Sequence, residues 1–237
     1  MTVTSTHNEK LKLVRRLRDR KHREREGLFV AEGEDLLEAG LDAGWKPELV
    51  LSAAGSGLGG VEVAADALAS ASELGSGTRV ISVWPQRWSQ PAGPVCVYLH
   101  AVGDPGNVGT IVRTAHGLVE GSVVLGPDSA DPYSPKAVRA SMGSIFAQPL
   151  ARANVGDTPA PRAALVAHGG SEPQAVVPPI TVCLGAEREG LPDELVSAAE
   201  HRWTIPLRAG GAESLNVAAA AAIVLGRISS ARPEGAS

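Results

Sequence analysis

Short apolar runs alternating with helical stretches constrain this chain more than any other feature of its 237 residues. From Val95 the order reads strand 95–102, helix 107–118, strand 122–126, helix 134–142, strand 163–167, strand 180–184, a short helix near 192–199, strand 202–206 and a final helix 214–230. Apolar runs too short for helices, with helical periodicity between them, specify parallel strands joined by crossovers. The expected architecture is α/β: a mostly parallel sheet with helices on both faces.

The first eighty or so residues carry the same alternation on a smaller scale. Residues 8–25 read as one helix, "GLFVAEG" (Gly27 to Gly33) as a buried strand, and "EDLLEAGLDAG" as a helix closed by Gly44. "PELVLSA" follows as a strand, residues 53–60 as a turn, "VEVAADALASASEL" as a helix and "TRVISVW" as a strand. Between the halves, "WPQRWSQPAGP" (Trp84 to Pro94) holds three prolines and two tryptophans, the composition of an exposed connection. The boundaries read from this are 1–83 for a small α/β domain, 84–94 for a linker and 95–237 for a second domain.

Net charge is −4, but its distribution says more than its sum. Residues 1–30 hold nine Lys and Arg against four Asp and Glu, so everything after them is net acidic, at −9. Lys10, Lys12, Arg15, Arg16, Arg18, Arg20, Lys21, Arg23 and Arg25 form a field suited to a polyanion, with affinity that falls as salt rises. A solvated helix face with interleaved acids explains the same residues equally well. Cys96 and Cys183 sit inside apolar runs, which supports buried thiols and neither a disulfide framework nor a metal cluster. The start, "MTVTSTHNEKLKLVRRL", lacks an apolar signal core, and no run approaches bilayer length. The protein is expected to be cytoplasmic, with no membrane and no metal among its partners.

Three loops that follow strands are unusual, and in open α/β sheets such loops bind ligands. They are "GDPGNVGTIVRTA" (Gly103 to Ala115), "LGAEREGLPDEL" (Leu184 to Leu195) and "IPLRAGGAESLNVAAAAAIVLG", where Ile205-Pro206-Leu207 ends a strand and Ser214 and Asn216 open an alanine-rich helix. Each has a plain explanation: glycines mark tight turns, Pro192 starts a helix, and Ser214 caps one for about 1 kcal/mol. Their joint occurrence after successive strands is harder to assign to turns. A dinucleotide loop competes for the first motif, because Asp128 lies nineteen residues beyond Gly109, near where a ribose-binding acid would stand. However, Gly103, Gly106 and Gly109 are not spaced as G-x-G-x-x-G, and a nucleotide-binding oxidoreductase leaves "GAEREG" and "ESLN" unexplained.

In this order, "DPGNVGTIVRTA", "LGAEREGLPDEL" and "IPL…ESLNVAAAAAI" resemble the three motifs of the SpoU family (SPOUT superfamily) of RNA ribose 2′-O-methyltransferases. The resemblance continues through "DPYSPKAVRASMGSIF" (Asp131 to Phe146), and "GLFVAEGEDLLEAGL" is similar to the ribosomal-protein-like substrate-binding domain that precedes many members. It implies a C-terminal trefoil knot, which general rules of chain topology make very rare. It also implies a homodimer through the catalytic domain, and S-adenosylmethionine bound largely by backbone groups. Carried over by motif, Leu184, Gly185, Ala186, Glu187 and Gly190, then Ile205, Leu207, Ser214, Leu215 and Asn216, would line that site, with Ala167, His168 and Gly169 of the "AHGG" loop.

The resemblance assigns catalysis to Arg113, with Asn107, Glu187, Ser214 and Asn216 around it. A normal guanidinium stays protonated, so the physical role of Arg113 is to grip phosphate and steady a forming alkoxide. Asn107 would orient ribose or phosphate, and Glu187 would fix Arg113 or nearby amides. Arg139 and Ser141 would lie near the RNA, alongside Arg15, Arg16, Arg18, Arg20, Lys21 and Arg23 of the basic segment. Two positions depart from the pattern: many members have aspartate at His100, and asparagine is more usual than Ala186. The expected substrate is structured RNA, most simply ribosomal RNA. Transfer RNA methylation, resistance-conferring ribosomal methylation and a non-catalytic RNA-binding protein are the alternatives.

Overall fold

Leu11, Val14 and Leu17 fall on one helical face, and all three are buried in the core of the N-terminal part of the chain. In the computed structural model, which describes residues 2–75, 77–174 and 176–230, they belong to α1 (Glu9–Arg16) and the turn that ends it. The single helix expected over 8–25 is two. The Asp19 carboxylate accepts the Lys21 N–H at 2.8 Å and starts α2 (Arg20–Glu26). A short acidic side chain that bonds its own downstream backbone ends one helix and caps the next.

There follow β1 (Leu28–Glu32), α3 (Glu34–Asp42), β2 (Leu49–Ala53), β3 (Val61–Val63), α4 (Ala65–Ala69) and β4 (Val80–Pro85). The strands form one sheet in the order β1-β4-β2-β3, with β4 antiparallel to both neighbours and β3 parallel to β2. Gly44, at φ 72°, closes α3 as its position predicted. The helix expected over Val61–Leu74 begins instead with β3, because Val-Glu-Val alternates with the period of a strand and its valines pair with β2.

The second half supplies β5 (Val95–Leu99), α5 (Pro105–Leu118), β6 (Val123–Leu125), α6 (Pro135–Ser141), β7 (Leu150–Arg152), β8 (Arg162–Leu165), β9 (Ile180–Leu184), α7 (Asp193–Ala198), β10 (His201–Trp203) and α8 (Val217–Ser230). Six strands form a sheet in the order β10-β8-β9-β5-β6-β7, and every pairing is parallel. β5 and β9 are buried at every position, as central strands of a parallel sheet are. Cys96 and Cys183 lie on these strands as free, buried thiols, and burial pushes the Cys183 thiol up to about 12. Both are packing groups. Strand β7, only three residues long, gave no readable run in the sequence. Ile205-Pro206-Leu207 lies beyond β10 rather than ending it, and the last helix starts at Val217 rather than at 214.

The chain divides into two compact units, and they do not follow the linear boundaries. One unit comprises the residues up to Arg87 together with Asp131–Ala147; the other comprises Trp88–Ala130 and the residues from Gln148 onward. Helix α6 therefore packs in the first unit, although its place in sequence lies within the second. Aromatic residues explain this. Tyr133 packs on Phe29 at 4.7 Å between ring centroids, Phe146 packs edge-on against Trp84 at 4.8 Å, and the Trp45 indole N–H donates to the Phe146 carbonyl at 2.7 Å. Trp84, expected in an exposed linker, is fully buried in this cluster, with its N–H on the Ser82 hydroxyl.

Candidate active site

β5 and β9 end side by side in the second unit. Leu99 pairs with Leu184, and the His100 N–H donates to the Leu184 carbonyl at 2.8 Å. From here the chain runs through α5 to β6 on one side, and through α7 to β10 on the other. Strands whose connections part in this way leave a crevice beyond their carboxyl ends.

Local chemistry sets the side chains at that crevice. The Asp104 carboxylate accepts the N–H groups of Gly106 at 2.6 Å and Asn107 at 3.1 Å, with Pro105 at the first helical position of α5. This cap places Asn107 in the first turn. After β9, Ala186 and Gly190 exchange backbone hydrogen bonds at 3.1 and 3.0 Å, closing a tight loop that presents Glu187. At α8 the capping group is Asn216, not Ser214: its Oδ1 accepts the N–H groups of Ala218 at 2.9 Å and Ala219 at 3.3 Å. Ser214 is exposed and lies outside the helix, so the capping explanation for it does not hold.

These three groups form one directional chain. With its oxygen held by α8, the Asn216 amide turns its Nδ2 to the Asn107 Oδ1 at 3.1 Å, and the Asn107 Nδ2 then donates to Glu187 Oε1 at 2.7 Å. Backbone donors at one end and a carboxylate acceptor at the other leave each amide one orientation. Side chains 80 and 109 residues apart in sequence thus meet at one place. Arg113 is exposed on α5, and its side chain makes no hydrogen bond or ion pair among the described residues. The contact between Glu187 and Arg113 expected from sequence is not made, because Asn107 takes the carboxylate.

Beside this chain is a cleft of about 310 Å3, lined by the loops that follow β8, β9 and β10 and by the start of α8. Of the residues expected to hold a cofactor, Ala167, His168, Leu184, Gly185, Ala186, Glu187, Gly190, Ile205, Leu207, Ser214 and Leu215 line it. Gly169 and Asn216 are not on its wall; the first turns the 167–170 loop at φ 77°, and the second caps α8. Sequence reasoning missed Leu165, Val166, Arg188, Glu213, Val217 and Ala220. Val217 and Ala220, three residues apart at the mouth of α8, carried the helical spacing that could have shown them. Asp128, the acid of the dinucleotide reading, follows β6 and is not part of the lining.

The positions expected to touch RNA lie on the first unit. Arg16, Arg18, Arg20 and Lys21 are exposed, and Arg15 is half-buried with a guanidinium N–H on the Thr6 carbonyl. Two expectations fail. Arg23 is 3% exposed, with Nε and Nη2 on the Asp131 carboxylate at 2.8 Å and Nη1 on the carbonyls of Leu17 and Arg18. It is a structural cation: burial and four internal contacts take it away from any phosphate. Ser141 is wholly buried, and its hydroxyl donates to the Val138 carbonyl one turn back in α6.

Residues 94–226 match the SpoU rRNA Methylase family, and residues 8–86 match the MRM3-like substrate binding domain. The chain belongs to the SpoU family. Among its relatives, the 23S rRNA (guanosine(2553)-2′-O)-methyltransferase RlmP of Bacillus subtilis is 30% identical across 94% of this chain and 97% of that protein. The 23S rRNA (uridine(2479)-2′-O)-methyltransferase of Streptomyces viridochromogenes is 31% identical over 51% of this chain and 47% of its own length. An AdoMet-bound rRNA methyltransferase from Sinorhizobium meliloti has the same fold, with a TM-score of 0.83 and 33% identity over 95% of both chains.

In this SpoU-family chain Gly185 leaves no room for a side chain. A Cβ there would meet the Gly190 carbonyl and the Leu191 nitrogen, both backbone, so the loop itself would have to open. Gly185→Ala is expected to weaken S-adenosylmethionine binding about tenfold or more, measured by isothermal titration. Unchanged affinity would show that the loop does not shape that site.

Proposed function

We propose that the protein is a cytoplasmic, homodimeric enzyme that uses S-adenosylmethionine to methylate a ribose 2′-hydroxyl of structured RNA, most simply ribosomal RNA. The observation that carries this reading is the Asn216–Asn107–Glu187 chain, which joins all three motifs at the edge of the cleft. The cleft fits the cofactor in kind. Its walls mix apolar and polar groups, and its loops offer backbone groups. Its lining holds two carboxylates, Glu187 and Glu213, against the one guanidinium of Arg188, a balance that suits a ligand carrying positive charge. When bound, S-adenosylmethionine supplies an electrophilic methyl group on a sulfonium.

The rest of the chemistry falls to the chain. A ribose hydroxyl is a weak nucleophile until its developing negative charge is stabilised. Arg113, exposed and unengaged, is free to grip a phosphate with two N–H groups while steadying the forming oxyanion. Asn107, like Asn216, is bound at both ends of its amide, so its position is set before RNA arrives. Ser214 adds a hydroxyl at the cleft mouth. A free 2′-hydroxyl is also what distinguishes RNA from DNA, so the reaction selects its own polymer.

Homodimerisation is supported by α8, which leaves Ala219, Ala222 and Ile223 exposed in an apolar strip. The trefoil knot is inferred from family membership, in keeping with a chain that returns from the edge strand β10 to pack α8 on α5. The named relatives modify different nucleotides of 23S rRNA, a guanosine and a uridine. The decisive experiment is therefore transfer of tritiated methyl from S-adenosylmethionine to total RNA of a deletion strain, followed by mapping. Label on a single 2′-O-methylated nucleotide of ribosomal RNA is expected. RNA binding without transfer would instead support the non-catalytic alternative.

A further inference from the structure

The turn at residues 70–75 of the first unit collects arginines from two helices distant in sequence. From the segment of α1, the Arg15 Nη1 donates to the Ser70 hydroxyl at 3.4 Å and the Arg18 Nη2 donates to the Ala71 carbonyl at 2.8 Å. Arg18 also turns its Nε towards Glu73 Oε1 at 3.8 Å. From α6, the Arg139 Nη1 approaches the other oxygen of the same carboxylate, Glu73 Oε2, at 3.6 Å. One carboxylate is thus held between two guanidinium groups, with all three side chains 30–39% exposed.

Two features set this apart from an ordinary surface ion pair. Neither approach reaches the 2.7–2.9 Å typical of a charge-assisted hydrogen bond, so Glu73 neutralises the arginines without saturating them. The turn beneath is rigidly held. Glu32, only 8% exposed, accepts the Ser72 hydroxyl at 2.6 Å, the Glu73 N–H at 2.9 and 3.2 Å and the Leu74 N–H at 3.4 Å. That buried carboxylate is engaged by one hydroxyl and two backbone N–H groups of the turn, and with Glu73 it sets two negative charges against the three of Arg15, Arg18 and Arg139. The site retains a net positive charge and two guanidinium groups aimed at one point.

We propose that Glu73 is an intramolecular stand-in for an RNA backbone phosphate, keeping Arg18 and Arg139 converged until RNA displaces it. This rests on the reading that the first unit carries the RNA. A phosphate has more acceptor oxygens than a carboxylate and gives both guanidinium groups direct hydrogen bonds at the position Glu73 holds. The carboxylate swings to solvent as the phosphate enters. The arrangement lowers resting affinity and keeps the arginines in place.

The test measures binding of deproteinised bulk ribosomal RNA across a KCl series, for the full-length protein and its variants. Glu73→Gln is expected to tighten binding severalfold more than Glu38→Gln, which removes the same charge from an exposed position of the same unit. Arg18→Gln and Arg139→Gln should each weaken binding and lower the salt slope by about one. Because both serve one phosphate, the double variant should lose little more than either single variant. Additive losses, or equal effects of Glu73→Gln and Glu38→Gln, overturn the proposal. Failure of the unaltered protein to bind RNA overturns both it and the reading beneath it. Thermal midpoints of all variants, unchanged in the expected outcome, exclude loss of fold as the cause.

Discussion

Arg113→Ala is expected to lower methyl transfer about 100- to 1000-fold, the size of effect seen when one preorganised group that stabilises transition-state charge is removed. Affinity for S-adenosylmethionine should hardly change, because Arg113 does not line the cleft. The split follows from its surroundings. Asn107, Glu187 and Asn216 are committed to one another, whereas Arg113 has no partner among the described residues and loses no internal contact on truncation. Arg113→Lys should recover little, since an ammonium keeps the charge but not the planar fork. Single-turnover methylation with saturating cofactor measures the chemical step. An active alanine variant would remove Arg113 from the mechanism.

Arg23→Met is expected to destabilise the first unit by about 3–5 kcal/mol, the usual consequence of leaving one member of a buried ion pair without its partner. Asp131 would keep its backbone bond from Tyr133 at 2.9 Å but lose both guanidinium contacts, and the carbonyls of Leu17 and Arg18 would lose their donor. Urea titration monitored by tryptophan fluorescence reads the effect, because Trp45 and Trp84 belong to the same unit. A second substitution, Asp131→Leu, should restore much of the loss by removing the orphaned charge. If Arg23→Met unfolds at the same urea concentration as the unaltered protein, the pair is not structural and Arg23 returns to the list of RNA contacts.

The parallel sheet was legible because its central strands, β5 and β9, are apolar runs of five residues, buried at every position. The cleft was legible because motif residues cluster just after those strands. Other features depended on contacts that no local pattern carries. Arg23 sits in a basic run, and only its meeting with Asp131, 108 residues away, shows that it is buried. Trp84 stands beside prolines and reads as linker, yet Phe146 draws it into a core. Ser214 looked like the cap of its helix, but Asn216 holds the helix nitrogens because the helix begins at Val217, directly before the alanine run, and not at 214. β3 and β7, at three residues each, are too short for periodicity to announce.

The assignment of Asp131–Ala147 to the first unit has a consequence for modular exchange. A recombinant that swapped residues 1–94 between two relatives would transfer an arginine, a tryptophan and a phenylalanine without the aspartate, tyrosine and phenylalanine that complete their packing. The unit that packs as one body is therefore a pair of segments, and an exchange of one without the other is expected to lower stability. Grafting a new RNA preference onto this scaffold means moving both pieces together.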